Sequence, residues 1–229
     1  AIDGARALAF AAVVTIHAVG RLAGTDAGAL ARFVVGASDW AVPALFMLSG
    51  YVTSLRGHTP ENVRRWIVRL GVPYVIWSVL YAGLLAVLGM TRQFSAAGVF
   101  AAVALGHTAS HLWFLPALIV AHLTGMLTRG RRGLLAGLLL TAPLFIARIL
   151  IPESQAVAYS ILRYSPAGWV FVYLLGILVS RTRSIALTPQ LVRTVCVCAP
   201  LLMGATIITL GEGAAGRALI TAAGVGISL

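Results

Sequence analysis

Long apolar runs alternate with short polar segments along the whole chain. A helix needs about 20 apolar residues to cross about 30 Å of hydrocarbon, and most of these runs come close to that length. The pattern predicts about eight membrane-spanning helices, at 5–22, 38–55, 67–89, 111–128, 133–151, 166–180, 190–210 and 214–229. The shorter apolar stretch 95–107 is interpreted as a re-entrant or interfacial helix. We therefore expect an all-α, polytopic transmembrane bundle that forms a single domain over residues 1–229.

Composition excludes the main classes of water-soluble protein. Apolar residues make up 60% of the chain and charged residues 10%, and the mean hydropathy is +0.96. A soluble domain carries about 25% charged residues, so a soluble domain, a disordered tail and a disulfide-rich secreted module are all excluded. The chain begins with Ala1 and its last apolar run stops at Leu229, so we expect it to be part of a longer protein, truncated at the C-terminus.

The charges predict an orientation in the membrane. All 17 basic residues are arginines, and with six acidic residues they give a net charge of +11. The arginines cluster between the apolar runs, as in loops that obey the positive-inside rule, and no basic or aromatic module typical of nucleic-acid binding is present. We therefore predict a multi-pass protein of the inner (plasma) membrane, with the N-terminus and loops 56–66, 129–132 and 181–189 in the cytoplasm.

The first span carries polar residues on one face. Arg6 and His17 are 11 residues apart, which is three helical turns plus about 20°, or about 16 Å along the axis. Asp3 and Arg21 lie close to the same stripe. An ionisable residue inside a bilayer is costly and is a functional candidate, and histidine suits proton transfer. The alternative is a histidine satisfied by a carbonyl of a neighbouring helix.

Three further segments have both a functional and a structural interpretation. Ser49 and Tyr51, late in the second span, could form part of a site or only pack against another helix. The cluster formed by Arg64, Arg65 and Arg69 could bind phosphates or only anchor to anionic lipid. His111 and Trp113 lie in the segment HLWFL at 111–115, at the start of the fourth span. They could belong to a functional site or only to the aromatic belt at the membrane interface.

Taken in order, these segments resemble the membrane acyltransferase family 3, whose members acylate surface glycans, glycolipids and some antibiotics. The resemblance covers residues 2–180 and is carried by IDGARALA at 2–9 with His17, VPALFMLSGY at 42–51, RRWIVRLGVPY at 64–74 with Trp77 and Ser78, HLWFL at 111–115 and FVYLLG at 171–176. Family members usually have about ten spans. Two family arginines that are often three residues apart are here four apart, at Arg65 and Arg69.

The resemblance implies an O-acyltransferase. Its donor would be a cytoplasmic acyl-CoA, in the first instance acetyl-CoA, as a co-substrate, with no tightly bound cofactor and no metal. The acceptor would be a hydroxyl of a cell-envelope glycolipid or polysaccharide. The resemblance assigns residues to three roles: catalysis to His17, as base or nucleophile, with Arg6 and Asp3, acyl-CoA binding to Arg64, Arg65 and Arg69, and a tunnel or acceptor site to Ser49, Tyr51, His111 and Trp113.

A second class of function remains open from the sequence. A transporter or flippase of a lipid-linked or polar substrate could use the same polar stripe in the first span. Release of free thiol from acetyl-CoA would distinguish an acyltransferase from a transporter.

Overall fold

The structure is a computed structural model, and it describes residues 2–20, 28–57, 59–89, 112–151 and 166–182. Within these ranges the regular structure is helical, without strands. The helices are α1 (Ile2–Val19), α2 (Gly28–Gly36), α3 (Ala41–Arg56), α4 (Pro60–Val87), α5 (Phe114–Leu127), α6 (Arg131–Leu150) and α7 (Pro166–Thr182). The all-α prediction is thereby confirmed for the described part of the chain.

Six of the predicted spans coincide with a described helix, namely α1 and α3 to α7. By length and composition, four stretches could cross a membrane: Ile2–Val19, Leu30–Arg56, Pro60–Val87 and Arg131–Leu150. The helices α5 and α7 are apolar but shorter. The spans predicted at 190–210 and 214–229, and the stretch 95–107, lie outside the described residues, and α2 was not predicted.

The start of α4 differs from the sequence prediction, because the segment 60–66 is helix rather than loop. Thr59 is the N-cap and its side chain accepts a hydrogen bond from the backbone nitrogen of Asn62, at 3.2 Å. Pro60 and Glu61 follow in the first turn, where a proline ring and a negative charge both favour a helix start. The arginine cluster therefore lies on the first turns of a long helix.

Two glycines bring α3 and α7 into backbone contact. A Cβ atom added at Gly50 would lie 2.0 Å from the carbonyl oxygen of Tyr173, and one added at Gly176 would lie 2.0 Å from that of Met47. Only glycine permits such an approach, as at many helix crossings in membranes. The side chains of α7 around this crossing are fully buried, and α7 lies at the centre of the described bundle between α3, α5 and α6.

Aromatic rings pack tightly beside this crossing. The Phe46 ring stacks on Trp169 with centroids 5.2 Å apart, and it meets the Phe114 ring edge-on at 5.1 Å. The Arg148 guanidinium lies 3.8 Å from the centroid of Trp169. These contacts tie α3, α5, α6 and α7 into one core, in geometries that aromatic rings and cations favour.

The outer faces of the bundle are apolar. Along α4 most of the aliphatic side chains point outward, and on α6 Leu139 and Leu140 are about three-quarters exposed (74% and 75%). Only Val63, Tyr74 and Ser78 are buried on the 28-residue helix α4. Apolar outer faces on helices of spanning length are typical of a protein whose solvent is the bilayer.

Candidate active site

Four helices, α1, α3, α4 and α5, enclose a small pocket near the end of the bundle where α1 and α4 begin. Its volume is about 180 Å³. Its lining, which we call the basic pocket, consists of Arg6, Ser49, Val52, Thr53, Arg56, Trp66, Arg69, Leu70, Leu118 and His122. No carboxylate is among these described residues, and the three guanidinium groups share a confined space that an anion would stabilise.

The arginines of the basic pocket come from three different helices. Arg6 is half-buried on α1, whereas Arg56, at the end of α3, and Arg69, on α4, are exposed at the mouth of the pocket. Arg6 forms an ion pair with Asp3, one turn away, at 3.8 Å. The Asp3 side chain is 99% exposed and lies outside the pocket lining, so it neutralises Arg6 only weakly.

Of the three arginines assigned to acyl-CoA, only Arg69 lines the basic pocket. Arg64 and Arg65 lie about one turn nearer the start of α4 and are exposed, and Arg65 pairs with Glu61. Arg56 also lines the basic pocket, although the sequence did not predict this role. The sequence contains a pattern that could have identified Arg56, because Ser49, Thr53 and Arg56 follow one face of α3 at intervals of four and three residues.

His122 is the second pocket residue that sequence reasoning missed. Its ring is 4% exposed; Nδ1 lies 2.9 Å from the carbonyl oxygen of Leu118, and Nε2 lies 3.4 Å from Oγ1 of Thr53. A carbonyl only accepts, so Nδ1 donates, and in the neutral ring Nε2 accepts from the Thr53 hydroxyl. The signal that identified His17, an ionisable residue inside an apolar run, applies equally to His122.

Aromatic rings hold the His122 side chain between helices. The Trp66 ring on α4 meets it edge-on at 5.0 Å, and the Tyr173 ring on α7 lies 5.2 Å away. Trp66 precedes Arg69 by three residues on α4, and Thr53 precedes Arg56 by three residues on α3. His122 therefore contacts the residue one turn before each mouth arginine and sets the spacing between the helices that carry them.

A larger, apolar cavity lies further along the same four helices, and we call it the apolar cavity. Its volume is about 690 Å³. Its described lining consists of Phe10, Val13, Val14, His17, Ala18, Val42, Leu45, Pro73, Trp77, Tyr81, Leu112, Trp113, Phe114 and Leu115. His17 thus lies in a largely aliphatic and aromatic wall.

The structure separates the residues that the resemblance grouped as a tunnel or acceptor site. Ser49 lines the basic pocket, whereas Trp113 lines the apolar cavity with His17. Tyr51 is half-buried on α3 and lines neither space. His111 and Arg21 lie outside the described residues.

The two spaces follow one another along a common axis. On α1, the basic pocket is lined by Arg6 and the apolar cavity by residues from Phe10 to Ala18, and α3, α4 and α5 each contribute to both spaces. Arg6 and His17 are 11 residues apart, which corresponds to about 16 Å. An elongated substrate with an anionic end can therefore bind its charges at the arginines and extend toward His17.

Within the described ranges, no group of three or more His, Cys, Asp or Glu side chains is arranged to hold a metal ion. The comparison with protein families agrees with the resemblance seen in the sequence. A family model described as an acyltransferase domain, that of acyltransferase family 3, matches residues 1–227. No curated protein and no solved structure matches the chain. Because the family model spans nearly the whole sequence, the chain belongs to acyltransferase family 3 and is an acyltransferase with membrane helices.

Proposed function

We propose that the protein transfers an acyl group, in the first instance acetyl, from cytoplasmic acyl-CoA to a hydroxyl of a cell-envelope glycolipid or polysaccharide. The observation that carries this proposal is the convergence of Arg6, Arg56 and Arg69 on one pocket, which lies between the same four helices as the cavity lined by His17. Family membership supports acyl transfer. The donor and the acceptor are our own proposals.

The basic pocket suits the phosphates of the donor. A guanidinium binds phosphate through two parallel hydrogen bonds, and each charge-assisted contact contributes roughly 1.5–3 kcal/mol. Arg6, Arg56 and Arg69 would bind these phosphates, with Arg64 and Arg65 attracting the ligand from one turn further out. The thioester end of the donor would then extend between the same four helices toward the apolar cavity.

His17 would handle the proton of the reaction. As general base, it takes the proton of the acceptor hydroxyl while the hydroxyl oxygen attacks the thioester carbonyl carbon. The carbon–sulfur bond breaks, an ester forms, and the departing CoA thiolate takes up the proton from His17. As nucleophile, a His17 nitrogen would carry the acyl group first, with the same products and the same proton balance. Both routes need a hydroxyl acceptor beside His17.

The test is release of free thiol from acetyl-CoA by the purified protein in lipid nanodiscs, with and without a sugar-hydroxyl acceptor. We expect acceptor-dependent release, and we expect Arg69→Ala to weaken acetyl-CoA binding about tenfold, as loss of one charge-assisted contact implies. Arg131→Ala is the matched control, because Arg131 is also exposed but lies outside the basic pocket. Binding of acetyl-CoA without thiol release from any acceptor would favour a transporter instead.

For this reaction, we propose that the protein lies in the inner membrane with its N-terminus in the cytoplasm. Acyl-CoA is a cytoplasmic metabolite, so the basic pocket has to open on the cytoplasmic side. The excess of arginine on the corresponding loops supports that orientation, because positive loops are retained in the cytoplasm.

A further inference from the structure

The apolar cavity is much larger than an acetyl group. A water molecule's share of the liquid is about 30 Å³, and a methyl group is of similar size, so the three heavy atoms of an acetyl group would take up roughly 90 Å³. The cavity measures about 690 Å³. Most of that space has to be filled by something other than the transferred acetyl group.

The wall of the cavity restricts the chemistry of what fills it. Side chains such as Phe10, Val14, Leu45 and Leu115 bring only carbon to the wall. The polar side-chain atoms of the described lining belong to His17, Trp77, Tyr81 and Trp113. A sugar buried there would lose water from many hydroxyls and find few partners, whereas a hydrocarbon chain needs none.

The position of His17 ties this space to the reaction. Its side chain belongs to the same wall as Val14 and Ala18, about 16 Å along α1 from Arg6. A chain held in the cavity would therefore lie beside the group that we propose as base or nucleophile. This inference rests on the proposed function, and it deepens it by naming a class of substrate.

We propose that the apolar cavity binds a hydrocarbon chain carried by one of the two substrates, and that the enzyme favours that substrate over its short-chain counterpart. The chain could be the lipid tail of the acceptor or a long acyl group of the donor. The two sources share the same chemistry at the cavity wall, and the experiment separates them.

The experiment uses the full chain in lipid nanodiscs and measures thiol release from four substrate pairs. Acetyl-CoA or octanoyl-CoA is combined with methyl glucoside or with octyl glucoside below its micelle concentration. Each buried methylene favours binding about fourfold, so we expect at least a tenfold gain in kcat/KM from the chain on one substrate. A gain with octyl glucoside assigns the chain to the acceptor, and a gain with octanoyl-CoA assigns it to the donor.

A pair of variants links any gain to this cavity. Val14→Trp puts an indole into the cavity, whereas Leu8→Trp adds the same group to α1 outside the described lining of both spaces. We expect Val14→Trp to abolish the chain-length gain, measured as the ratio of kcat/KM between the long-chain and the short-chain substrate. Leu8→Trp should keep the gain. A gain that persists in Val14→Trp, or equal rates for short and long substrates, would contradict the proposed chain site. Neither outcome would contradict acyl transfer itself.

A second measurement does not depend on turnover. An octyl glucoside with a diazirine at the chain end is photo-crosslinked and the labelled peptides are identified. We expect label on residues 10–18 of α1 and on the segment around Trp77, and a loss of at least half of it in Val14→Trp. Label spread over all the lipid-facing helices would mean that the chain behaves as bulk lipid, and it would overturn the proposal. Absence of thiol release from every pair, with site-specific label present, would count against the proposed function and not against the chain site.

Discussion

His17 and His122 are both histidines within apolar helices, yet their surroundings differ. The ring of His122 is buried, hydrogen-bonded at both nitrogens and enclosed by Trp66 and Tyr173. His17 lies in the wall of a large cavity where a substrate could reach it. From this difference we predict that His17 takes part in the chemistry and that His122 positions the helices.

The prediction for His17 concerns the rate of transfer. A positioned general base contributes about 10²–10⁴-fold, so His17→Ala should lower acyl transfer by that range and still bind acetyl-CoA through the arginines. His17→Gln should not restore the rate, because an amide cannot take up a proton. Steady-state rates and acetyl-CoA affinity are measured together. Near-normal turnover of His17→Gln would assign the histidine to packing or hydrogen bonding.

The prediction for His122 concerns the donor affinity. His122→Ala removes the contacts with Thr53 and Trp66 that space α3 from α4, so the dissociation constant for acetyl-CoA should rise about tenfold, the scale of one or two lost contacts. The turnover number at saturation should change less than about threefold. His122→Gln should restore part of the affinity. A turnover loss as large as that of His17→Ala would instead place His122 in the chemistry.

At the scale of elements, the crossing of α3 and α7 positions the pocket. Gly50 meets the Tyr173 carbonyl, and Tyr173 packs against His122 from the other side of the pocket wall. The next turns of α3 carry Thr53 and Arg56 into the pocket. A shift at the glycine contact would therefore move the residues that line the basic pocket.

We predict that Gly50→Ala destabilises the protein and weakens donor binding. The new methyl would lie 2.0 Å from a backbone oxygen, so the helices have to separate, and overpacking of this kind costs about 1–3 kcal/mol. The apparent Tm in detergent and the acetyl-CoA affinity are measured. Gly71→Ala on α4 is the matched control, because a Cβ there has nothing within 4 Å and alanine favours the helix. Equal Tm values for the two variants would contradict the close contact.

In the molecule as a whole, most of the described arginines lie at one end of the bundle, although Arg148 lies near the other end. The end of α3, the start of α4 and the turn at 128–130 all lie at the end of the bundle where Arg6, Arg56 and Arg69 converge. Arg129, Arg131 and Arg132 lie beside the second of these turns, and Arg181 lies in the last turn of α7. From the positive-inside rule we predict that the basic pocket faces the cytoplasm.

The topology prediction is tested by labelling single cysteines in whole cells, after replacement of Cys196 and Cys198. A cysteine at Arg129 should resist an impermeant thiol reagent until the cells are opened. A cysteine at Leu88, at the other end of α4, is exposed and should react from outside. The opposite pattern would reverse the orientation and separate the basic pocket from the cytoplasmic donor.

Local sequence patterns predict the helical class, the approximate position of the described spanning helices and the shared face of Arg6 and His17. These features depend on local properties, namely the length of an apolar run and the 100° step of a helix, so they can be read from neighbouring residues. The choice of acyltransferase family also followed from short, ordered segments, and the family model confirms it.

Which residues meet depends instead on how helices that are distant in the chain pack together. Thr53 and His122 are 69 residues apart, and no local rule brings them within hydrogen-bond distance. Arg56 joins Arg6 and Arg69 in the pocket because α3 packs against α1 while α4 packs against α5, and Gly50 and Gly176 govern how closely α3 approaches α7. Packing between distant helices depends on shape complementarity over many side chains, so a single sequence read along its length leaves it open.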